Sequence, residues 1–336
     1  MVSMRPKVHL IFNPVSGQGN AELDLAQVRS HLEPAFELTV FETSPERDAN
    51  TLAAQSVEQG VDLVVVSGGD GTINAAAEAM IQSPIPLAII PRGTANAVAS
   101  CLGISTDLDQ ACQVILDGDV RDVDTARCNG RPMVLLAGIG LEADAIENVP
   151  RERKDRLGVL AYIMAGLQQL SDLPSFDVTL ETKDKVISVQ AAAITVANMA
   201  PPTSILAQGP ARVSADDGLL DITIFAPAGV GSTIAASYEL LRSAMSGEAT
   251  QRDDVGFIRS ESVTIATDPP QKVVLDGELC GETPVEVVCV PKGLRLVVPK
   301  HALINKSEDL EGLPGLEVEY KQGTAATELP LNKLGQ

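Results

Sequence analysis

The sequence predicts a two-domain α/β protein in which a parallel sheet with flanking helices precedes a mainly antiparallel β-sandwich. Its 336 residues are too many for one small core and suit about two domains. Strand-like and helical segments first alternate, as in parallel sheets with right-handed crossovers. Short strand-like runs separated by Asp-Gly and Lys-Gly turns then follow, a pattern typical of antiparallel sandwiches. We therefore predict an α/β domain over residues 1–125, a β-sandwich domain over 126–300 and a partly mobile C-terminal tail over 301–336.

Four strands and four helices are predicted in the first domain. Continuous apolar runs predict the strands, and the run at 62–66 is rich in β-branched residues, as expected for a strand buried on both faces. Thr43 opens the second predicted helix, where its hydroxyl could serve as an N-cap. The predicted strands are 8–12, 36–41, 62–66 and 86–91, and the predicted helices are 21–31, 43–59, 73–82 and 95–102.

The second domain is predicted to consist of strands with one helical insertion. The insertion at 157–170 is apolar on most sides, so it could be plain core or the lining of a pocket for lipid chains. The predicted strands are 176–182, 186–198, 219–225, 262–266, 272–275, 285–290 and 294–298.

Composition and charge exclude several classes of protein. With 25 Lys and Arg against 45 Asp and Glu, the net charge of −20 repels nucleic-acid phosphates, so we expect no nucleic-acid partner. Five cysteines without a Cys-x-x-Cys pair and three scattered histidines argue against a disulfide framework and a zinc site. The sequence shows no signal peptide and no apolar run near the roughly 20 residues that span a bilayer. We expect a cytoplasmic protein that touches a membrane only from outside.

Two glycine-rich turns are the strongest candidates for a binding site. Gly68-Gly69-Asp70-Gly71-Thr72 and Gly93-Thr94-Ala95-Asn96 each lie between a buried strand and the start of a helix. Backbone N–H groups at a helix N-terminus bind anions, and glycine lets a phosphate approach closely. Asp70 could organise Mg²⁺ on such phosphates. The alternative is two ordinary turns, which the occurrence of a pair in successive units makes less attractive.

Other segments allow a structural and a functional interpretation. The structural interpretation of Asp276-Gly277-Glu278 is a hairpin turn. The functional interpretation is a rigid turn with two carboxylates, one of which accepts a proton from a substrate hydroxyl. The turn at 216–218 could likewise hold a cation through Asp217. The GxGxxA-like segment at 138–143 is more simply a packed corner than a dinucleotide site, and the P-loop and GxSxG patterns are missing from the sequence.

The order of these segments resembles the diacylglycerol kinase catalytic-domain family, which includes bacterial soluble lipid kinases and the sphingosine and ceramide kinases. The resemblance extends from about Arg5 to Pro299. It is carried by Asn13-Pro14, by GGDGT at 68–72, by PRGTAN at 91–96, by DGLLD at 217–221 and by DGE at 276–278. GGDGT alone is shared with NAD kinases and phosphofructokinases, whereas the ordered set is specific.

The resemblance implies an ATP-binding domain like that of phosphofructokinases and NAD kinases, a lipid-binding sandwich and an active site between them. It makes Glu278 the proton acceptor, Asp276 its support or a Mg²⁺ ligand, and Asp70 the residue that positions Mg²⁺. A structural Mg²⁺ would be held by Asp217 and the carbonyls of Ser214 and Leu219. The implied ATP contacts are Asn13, Thr43, Gly68, Gly69, Asp70, Gly71, Thr72, Asn74, Gly93, Thr94 and Asn96.

The implied function is ATP-dependent transfer of the γ-phosphoryl group to a hydroxyl of a diacylglycerol- or sphingoid-like lipid. A membrane would present this lipid, with peripheral contact at the inner surface, and the protein could form a homodimer. The cluster at 151–156 is either a solvated helix start or a patch for anionic headgroups. Ala97 stands where many bacterial members have Asp, and the segment 201–209 departs from their glycine run. Ala97 makes a nucleotide- or lipid-binding protein without turnover an alternative, and the shared GGDGT turn makes an NAD kinase-like enzyme with a soluble acceptor another.

Overall fold

The computed structural model describes residues 5–17, 19–140, 143, 175–201, 204, 207, 213–226, 254–300 and 317–320. The predicted insertion at 157–170 and the charged cluster at 151–156 lie outside these residues. The helices are α1 (Ala21–Leu32), α2 (Ala49–Glu58), α3 (Asp70–Met80), α4 (Ala97–Leu102) and α5 (Leu108–Asp117). The strands of the first unit are β1 (Lys7–Phe12), β2 (Glu37–Glu42), β3 (Leu63–Gly68) and β4 (Leu87–Pro91).

Thirteen further strands follow in the part of the chain that the structure describes. They are β5 (Asp119–Cys128), β6 (Arg131–Met133), β7 (Leu136–Gly140), β8 (Phe176–Glu181), β9 (Lys185–Ala191), β10 (Ala193–Ala197), β11 (Leu220–Phe225), β12 (Val255–Ser260), β13 (Ser262–Asp268), β14 (Lys272–Leu275), β15 (Glu278–Glu282), β16 (Val285–Val298) and β17 (Glu317–Tyr320).

The first unit is a parallel sheet in the order β4-β3-β1-β2. All six residues of β3 are buried, which agrees with the β-branched run that predicted this strand. Because parallel strands end at the same edge of a sheet, the segments that follow β1, β3 and β4 lie side by side. This edge therefore gathers Asn13, the GGDGT turn and the PRGTAN turn.

Helix starts in this unit differ from two predictions. Helix α2 begins at Ala49 with Asp48 as its N-cap, because the Asp48 carboxylate accepts from the Thr51 N–H at 2.8 Å. Thr43 is therefore not an N-cap, and it instead follows β2 directly. Helix α3 begins at Asp70, three residues earlier than predicted, so part of the GGDGT turn is the first turn of the helix.

The second unit is a sandwich of two sheets. The antiparallel part of the larger sheet, in the order β17-β9-β8-β13-β16, faces a six-stranded sheet in the order β12-β11-β10-β7-β14-β15. Inward side chains from both form one buried cluster, which includes Leu180, Ile187 and Ile265 from one sheet and Ile139, Ile222 and Val273 from the other. The predicted α/β-plus-sandwich fold class is confirmed.

One predicted strand of the sandwich differs from the structure, and one further segment can be compared with its prediction. The run 186–198 is two strands, β9 and β10, that belong to different sheets. The GxGxxA-like segment begins within β7, which pairs antiparallel with β10 and β14, so it does not follow a parallel strand as a dinucleotide site would.

Strand β16 joins the two units. Its first half packs in the sandwich through Val285 and Val287, whereas its second half packs in the first core through Leu294 and Leu296. Leu296 also pairs in parallel with Leu87 of β4. The two predicted strands 285–290 and 294–298 are therefore one strand with an irregular register between them. Four residues of the predicted tail form β17, which pairs with β9 at the edge of the larger sheet.

Among the described residues, no helix is both long and apolar enough to cross a membrane.

Candidate active site

The turn after β1 is fastened to the GGDGT turn after β3. The Asn13 N–H donates to the Ser67 carbonyl at 2.9 Å, and the Asn13 amide donates to the Thr72 hydroxyl at 2.7 Å. The Gly69 N–H donates to Ser16 Oγ at 3.2 Å. Asn13 therefore holds two neighbouring turns in a fixed relation.

The two glycine turns are in direct backbone contact. A Cβ built on Gly93 would lie 2.7 Å from Gly69 Cα, and a Cβ built on Gly68 would lie 2.7 Å from Thr72 Cβ. A side chain at Gly93 would push the two turns apart, and a side chain at Gly68 would clash with Thr72 inside its own turn, so both positions require glycine. Gly71 differs, because it is exposed and a Cβ there would meet nothing within 4 Å. Space for a ligand therefore opens at Gly71, in the first turn of α3.

Asp70 links the two glycine turns through hydrogen bonds. Its carboxylate accepts from the Asn96 N–H at 2.9 Å and from the Ala97 N–H at 2.5 Å, at the start of α4. Asn96 has a left-handed backbone with φ of 49°, and its side chain accepts from the Gly93 N–H and donates to the Gly93 carbonyl. Both side chains therefore shape the backbone. The Asp70 carboxylate keeps further lone pairs, so its role towards Mg²⁺ stays a prediction.

Arg92 is a residue of this region to which sequence reasoning assigned no role. Its buried guanidinium donates to the Asp24 carboxylate at 2.8 and 3.1 Å and to the Asn13 carbonyl at 2.9 Å. It also lies over the Phe12 ring, with Cζ 4.4 Å from the ring centroid. Arg92 thus connects α1, the turn after β1 and the PRGTAN turn. The sequence feature that could have pointed to this role is an arginine directly before a glycine at the end of a buried strand.

The remaining predicted nucleotide contacts lie around the same edge. Thr43 is half-buried, and its N–H donates to the Phe12 carbonyl at 2.9 Å, which places it beside the turn after β1. Thr94 is exposed at the tip of its turn. Asn74 lies in α3, and its buried side-chain oxygen has no hydrogen-bond partner among the described residues. The structure therefore brings all of the predicted nucleotide residues to one end of the sheet.

The DGE segment forms a two-residue hairpin turn between β14 and β15. Leu275 pairs with Glu278, and the intervening Asp276 and Gly277 both have positive φ, of 48° and 91°. This is the backbone of a type I′ turn, which Asp-Gly favours. Glu278 follows as the exposed first residue of β15.

Asp276 holds the hairpin against the start of β7. Its carboxylate accepts from the N–H groups of Val134, Leu135 and Leu136 at 2.7, 2.9 and 2.9 Å. Burial raises the pKa of Asp276 to about 6, although these three hydrogen bonds act in the opposite direction. Asp276 is therefore a support for the hairpin that carries Glu278.

The hairpin and the glycine turns share one neighbourhood. The carboxylates of Asp70 and Asp276 both lie near enough to the Cys101 thiol in α4 to raise its pKa, in addition to the larger effect of burial. Glu78 of α3 in turn contributes to the raised pKa of Asp276. Val134 and Leu135, which donate to Asp276, are buried in the core of the first unit, so the acidic hairpin lies against the unit that carries the two glycine turns.

The loop predicted to hold a structural Mg²⁺ contains an ion pair instead. Asp217 accepts from the Leu219 N–H at 3.0 Å and also pairs with the guanidinium of Arg259. Arg259 lies 3.3 Å from Asp221 as well. The described part of the chain contains no group of three or more His, Cys, Asp or Glu side chains suited to a metal. Because a backbone N–H and the Arg259 guanidinium already engage the two Asp217 oxygens, this carboxylate does not fit a bound cation.

Comparison with known proteins agrees with this architecture. The family model of the diacylglycerol kinase catalytic domain matches residues 7–128, and that of the YegS C-terminal NAD kinase beta sandwich-like domain matches residues 136–298. The uncharacterized protein sll0036 of Synechocystis sp. is 44% identical over 302 residues, which cover 87% of this chain and 70% of that protein. A diacylglycerol kinase of Bacillus subtilis is 29% identical over 311 residues, which cover 91% of this chain and 99% of that protein.

A crystal structure of a Bacillus anthracis protein superposes with a TM-score of 0.76 at 26% identity, and the match covers 90% of this chain and all of that one. These matches make the protein a lipid kinase, a phosphotransferase with an alcohol group as acceptor. More specifically, the chain belongs to the diacylglycerol kinase catalytic-domain family.

Proposed function

We propose that this protein transfers the γ-phosphoryl group of MgATP to a hydroxyl of a diacylglycerol- or sphingoid-like lipid. One observation carries the proposal: the two glycine turns are in backbone contact, and the DGE hairpin is fastened to the unit that carries them. The N–H groups that hold Asp276 belong to Val134 and Leu135, whose side chains are buried in the core of that unit. A nucleotide site and a candidate proton acceptor thereby share one neighbourhood.

The N-terminus of α3 supports phosphate binding. The first N–H groups of a helix have no partner within it, and the helix dipole favours negative charge there. Gly71 leaves this end open. The Asp70 side chain is engaged in joining the two turns, and the Asn96 side chain is engaged with Gly93 within its own turn. The turn thus offers backbone donors in a fixed arrangement, which suits the positioning that phosphoryl transfer requires.

Glu278 suits the role of proton acceptor. It is exposed at the tip of the hairpin, and the hairpin is fixed by the three hydrogen bonds to Asp276. In the proposed step the acceptor oxygen forms a bond to the γ-phosphorus, and the bond between that phosphorus and the β–γ bridging oxygen breaks. The hydroxyl proton passes to Glu278, and ADP leaves with its Mg²⁺.

The class of acceptor is inferred from the relatives. Diacylglycerol kinases of Bacillus subtilis and Staphylococcus saprophyticus align with 91% and 88% of this chain, including the hairpin and both glycine turns. An acceptor of this kind resides in a membrane, so we place the working protein at the inner membrane surface by peripheral contact. The net charge of −20 opposes anionic headgroups, so the lipid composition of that surface should affect turnover.

A direct assay tests the proposal. The purified chain is incubated with Mg²⁺ and γ-labelled ATP and with mixed micelles that contain diacylglycerol, sphingosine or ceramide, and in parallel with NAD. We expect label in a lipid product that chromatography separates from ATP, and at least about 10²-fold slower labelling of this product with Glu278→Gln. Label only in NADP would favour an NAD kinase-like enzyme. ATP binding without any labelled product across the panel would favour a binding protein without turnover.

A further inference from the structure

Three aspartates and one arginine, all with buried side chains, meet at the loop before β11. Asp217 lies in the loop, Asp221 lies in β11, and Asp124 approaches from β5. The side chains of Arg259, Asp217 and Asp221 are only 8, 10 and 1% exposed. Carboxylates that are this deeply buried require a cation or several hydrogen-bond donors.

The fold itself places the Arg259 guanidinium between two of these carboxylates. Arg259 in β12 is the direct cross-strand partner of Asp221 in β11. Its guanidinium pairs with Asp217 and lies 3.3 Å from Asp221. Burial of this side chain also lowers the pKa of Arg259. The guanidinium thus bridges the loop and the strand that follows it.

The other hydrogen-bond donors to these carboxylates are backbone N–H groups of the chain. The second Asp217 oxygen accepts from the Leu219 N–H. The two Asp124 oxygens accept from the Gly218 N–H at 2.6 Å and from the Lys292 N–H at 2.8 Å. A divalent cation bound to Asp217 would have to displace the guanidinium or lie against a like charge.

We propose that Arg259 is the built-in cation of this loop and that the chain binds no divalent cation at Asp217. The shape of the loop is then independent of Mg²⁺, and any requirement of the protein for Mg²⁺ arises elsewhere. This inference concerns a structural site, so it holds or fails independently of the proposed lipid kinase activity.

Thermal unfolding of the nucleotide-free chain in EDTA and in excess Mg²⁺ tests the inference, with electron paramagnetic resonance of Mn²⁺ as a direct measure of binding. We expect that Mg²⁺ raises the Tm of the wild type no more than it raises the Tm of Asp217→Asn. We also expect that the two chains bind the same amount of Mn²⁺. Arg259→Met should lower Tm in EDTA by several degrees, and Mg²⁺ should restore part of this loss. The restoration should disappear in the double variant with Asp217→Asn. Arg295→Met, which removes an arginine that is 43% exposed, is the matched control and should show neither effect.

Two results would overturn the inference. The first is a Mg²⁺-induced rise in the Tm of the wild type that Asp217→Asn abolishes, since this would place a metal at the loop. The second is an Arg259→Met chain that is as stable as the wild type or gains nothing from Mg²⁺. If Arg259→Met does not fold, Arg259→Lys takes its place, because it keeps the charge and should remain folded and insensitive to Mg²⁺. A Mg²⁺-induced rise in Tm that persists in Asp217→Asn comes from another site and agrees with the inference.

Discussion

The glycine turns and the acidic hairpin use the same types of residue for opposite purposes. At the glycine turns, Asp70 and Asn96 are engaged with backbone groups, and the groups left for a ligand are backbone N–H donors at an open helix start. At the hairpin, Asp276 is engaged with the backbone, and the group left for a ligand is the Glu278 carboxylate. One region therefore presents backbone and the other presents a side chain.

This difference indicates how the work is divided between the two units. Binding a triphosphate needs several weak donors in a fixed geometry, which backbone amides provide without mobile side chains. Taking up a proton needs one titratable group within reach of the acceptor. In both regions an aspartate fixes the geometry while its neighbours act. The following changes test this division, from the largest expected effect to the smallest.

Removal of the hairpin carboxylate should have the largest effect. In Glu278→Gln we expect kcat to fall by about 10²- to 10⁴-fold, which is the usual contribution of a general base, with little change in the KM for ATP. Glu282→Gln is the matched control, because Glu282 is exposed on the same strand and should leave kcat unchanged. Steady-state kinetics with a lipid acceptor measures both values. A Glu278→Gln enzyme with full kcat would show that the side chain presented by the hairpin is not the proton acceptor.

Removal of the guanidinium that fastens the glycine turns should chiefly lower stability. In Arg92→Leu the Asp24 carboxylate loses its buried partner, so we expect a loss of about 3–5 kcal/mol in the free energy of unfolding. Arg295→Leu breaks an exposed ion pair with Asp122 and should cost only about 0–1 kcal/mol.

Adding Asp24→Asn to Arg92→Leu should restore part of the stability, because the unpaired charge is then gone. Urea denaturation measures each value. A variant Arg92→Leu that is as stable as Arg295→Leu would mean that the turns do not depend on this contact.

Asp276 makes the stability of the hairpin region depend on pH. Its folded pKa of about 6 lies above the ordinary value of 3.8, so the folded state holds the proton more tightly than the unfolded state. The resulting stabilisation is complete below pH about 4 and is lost as the pH rises to about 6, by roughly 3 kcal/mol. Asp276→Asn should abolish this dependence, and it should also cost about 1–3 kcal/mol at low pH because the amide cannot accept at every N–H donor.

Urea denaturation of both chains across this pH interval measures the difference. Asp119→Asn, at an exposed aspartate, is the control and should keep the wild-type dependence. The same slope in Asp276→Asn and in the wild type would assign the pH dependence to another group.

Local patterns predicted most of the regular structure and the two turns that define the candidate site. Strands β1, β3 and β14 match their predicted apolar runs to within about two residues at each end, as such boundaries usually do. Asp-Gly at 276–277 predicted the hairpin, because positive φ at both positions is a local requirement. Strand β5 was missed, since its first four residues are largely polar and not fully buried, so that no apolar run marks it.

The contacts that orient the site could not be predicted from sequence. Arg92 and Asp24 are 68 residues apart, and Arg259 and Asp217 are 42 residues apart. No local periodicity links such pairs, because the order of strands in the sheets decides which ends meet. The crossing of β16 from the sandwich core to the first core has the same origin, since its two halves differ in their neighbours and not in their residue types.

Two alanine substitutions separate packing from ligand access within the glycine turns. In Gly93→Ala the new Cβ would lie 2.7 Å from Gly69 Cα, so the turns must move apart. We expect a loss of about 1–3 kcal/mol in the free energy of unfolding together with weaker ATP binding. In Gly71→Ala the Cβ meets nothing within 4 Å, and alanine is the better helix former by up to about 1 kcal/mol.

Gly71→Ala should therefore be at least as stable as the wild type and yet bind ATP more weakly, because its methyl group enters the space that the phosphates require. Thermal unfolding and calorimetric titration with ATP distinguish the two variants. If Gly71→Ala bound ATP as tightly as the wild type, the phosphates would not approach the start of α3. The inference that backbone N–H groups at the glycine turns bind the phosphates of ATP would then be wrong. The proposed role of Glu278 would be unaffected.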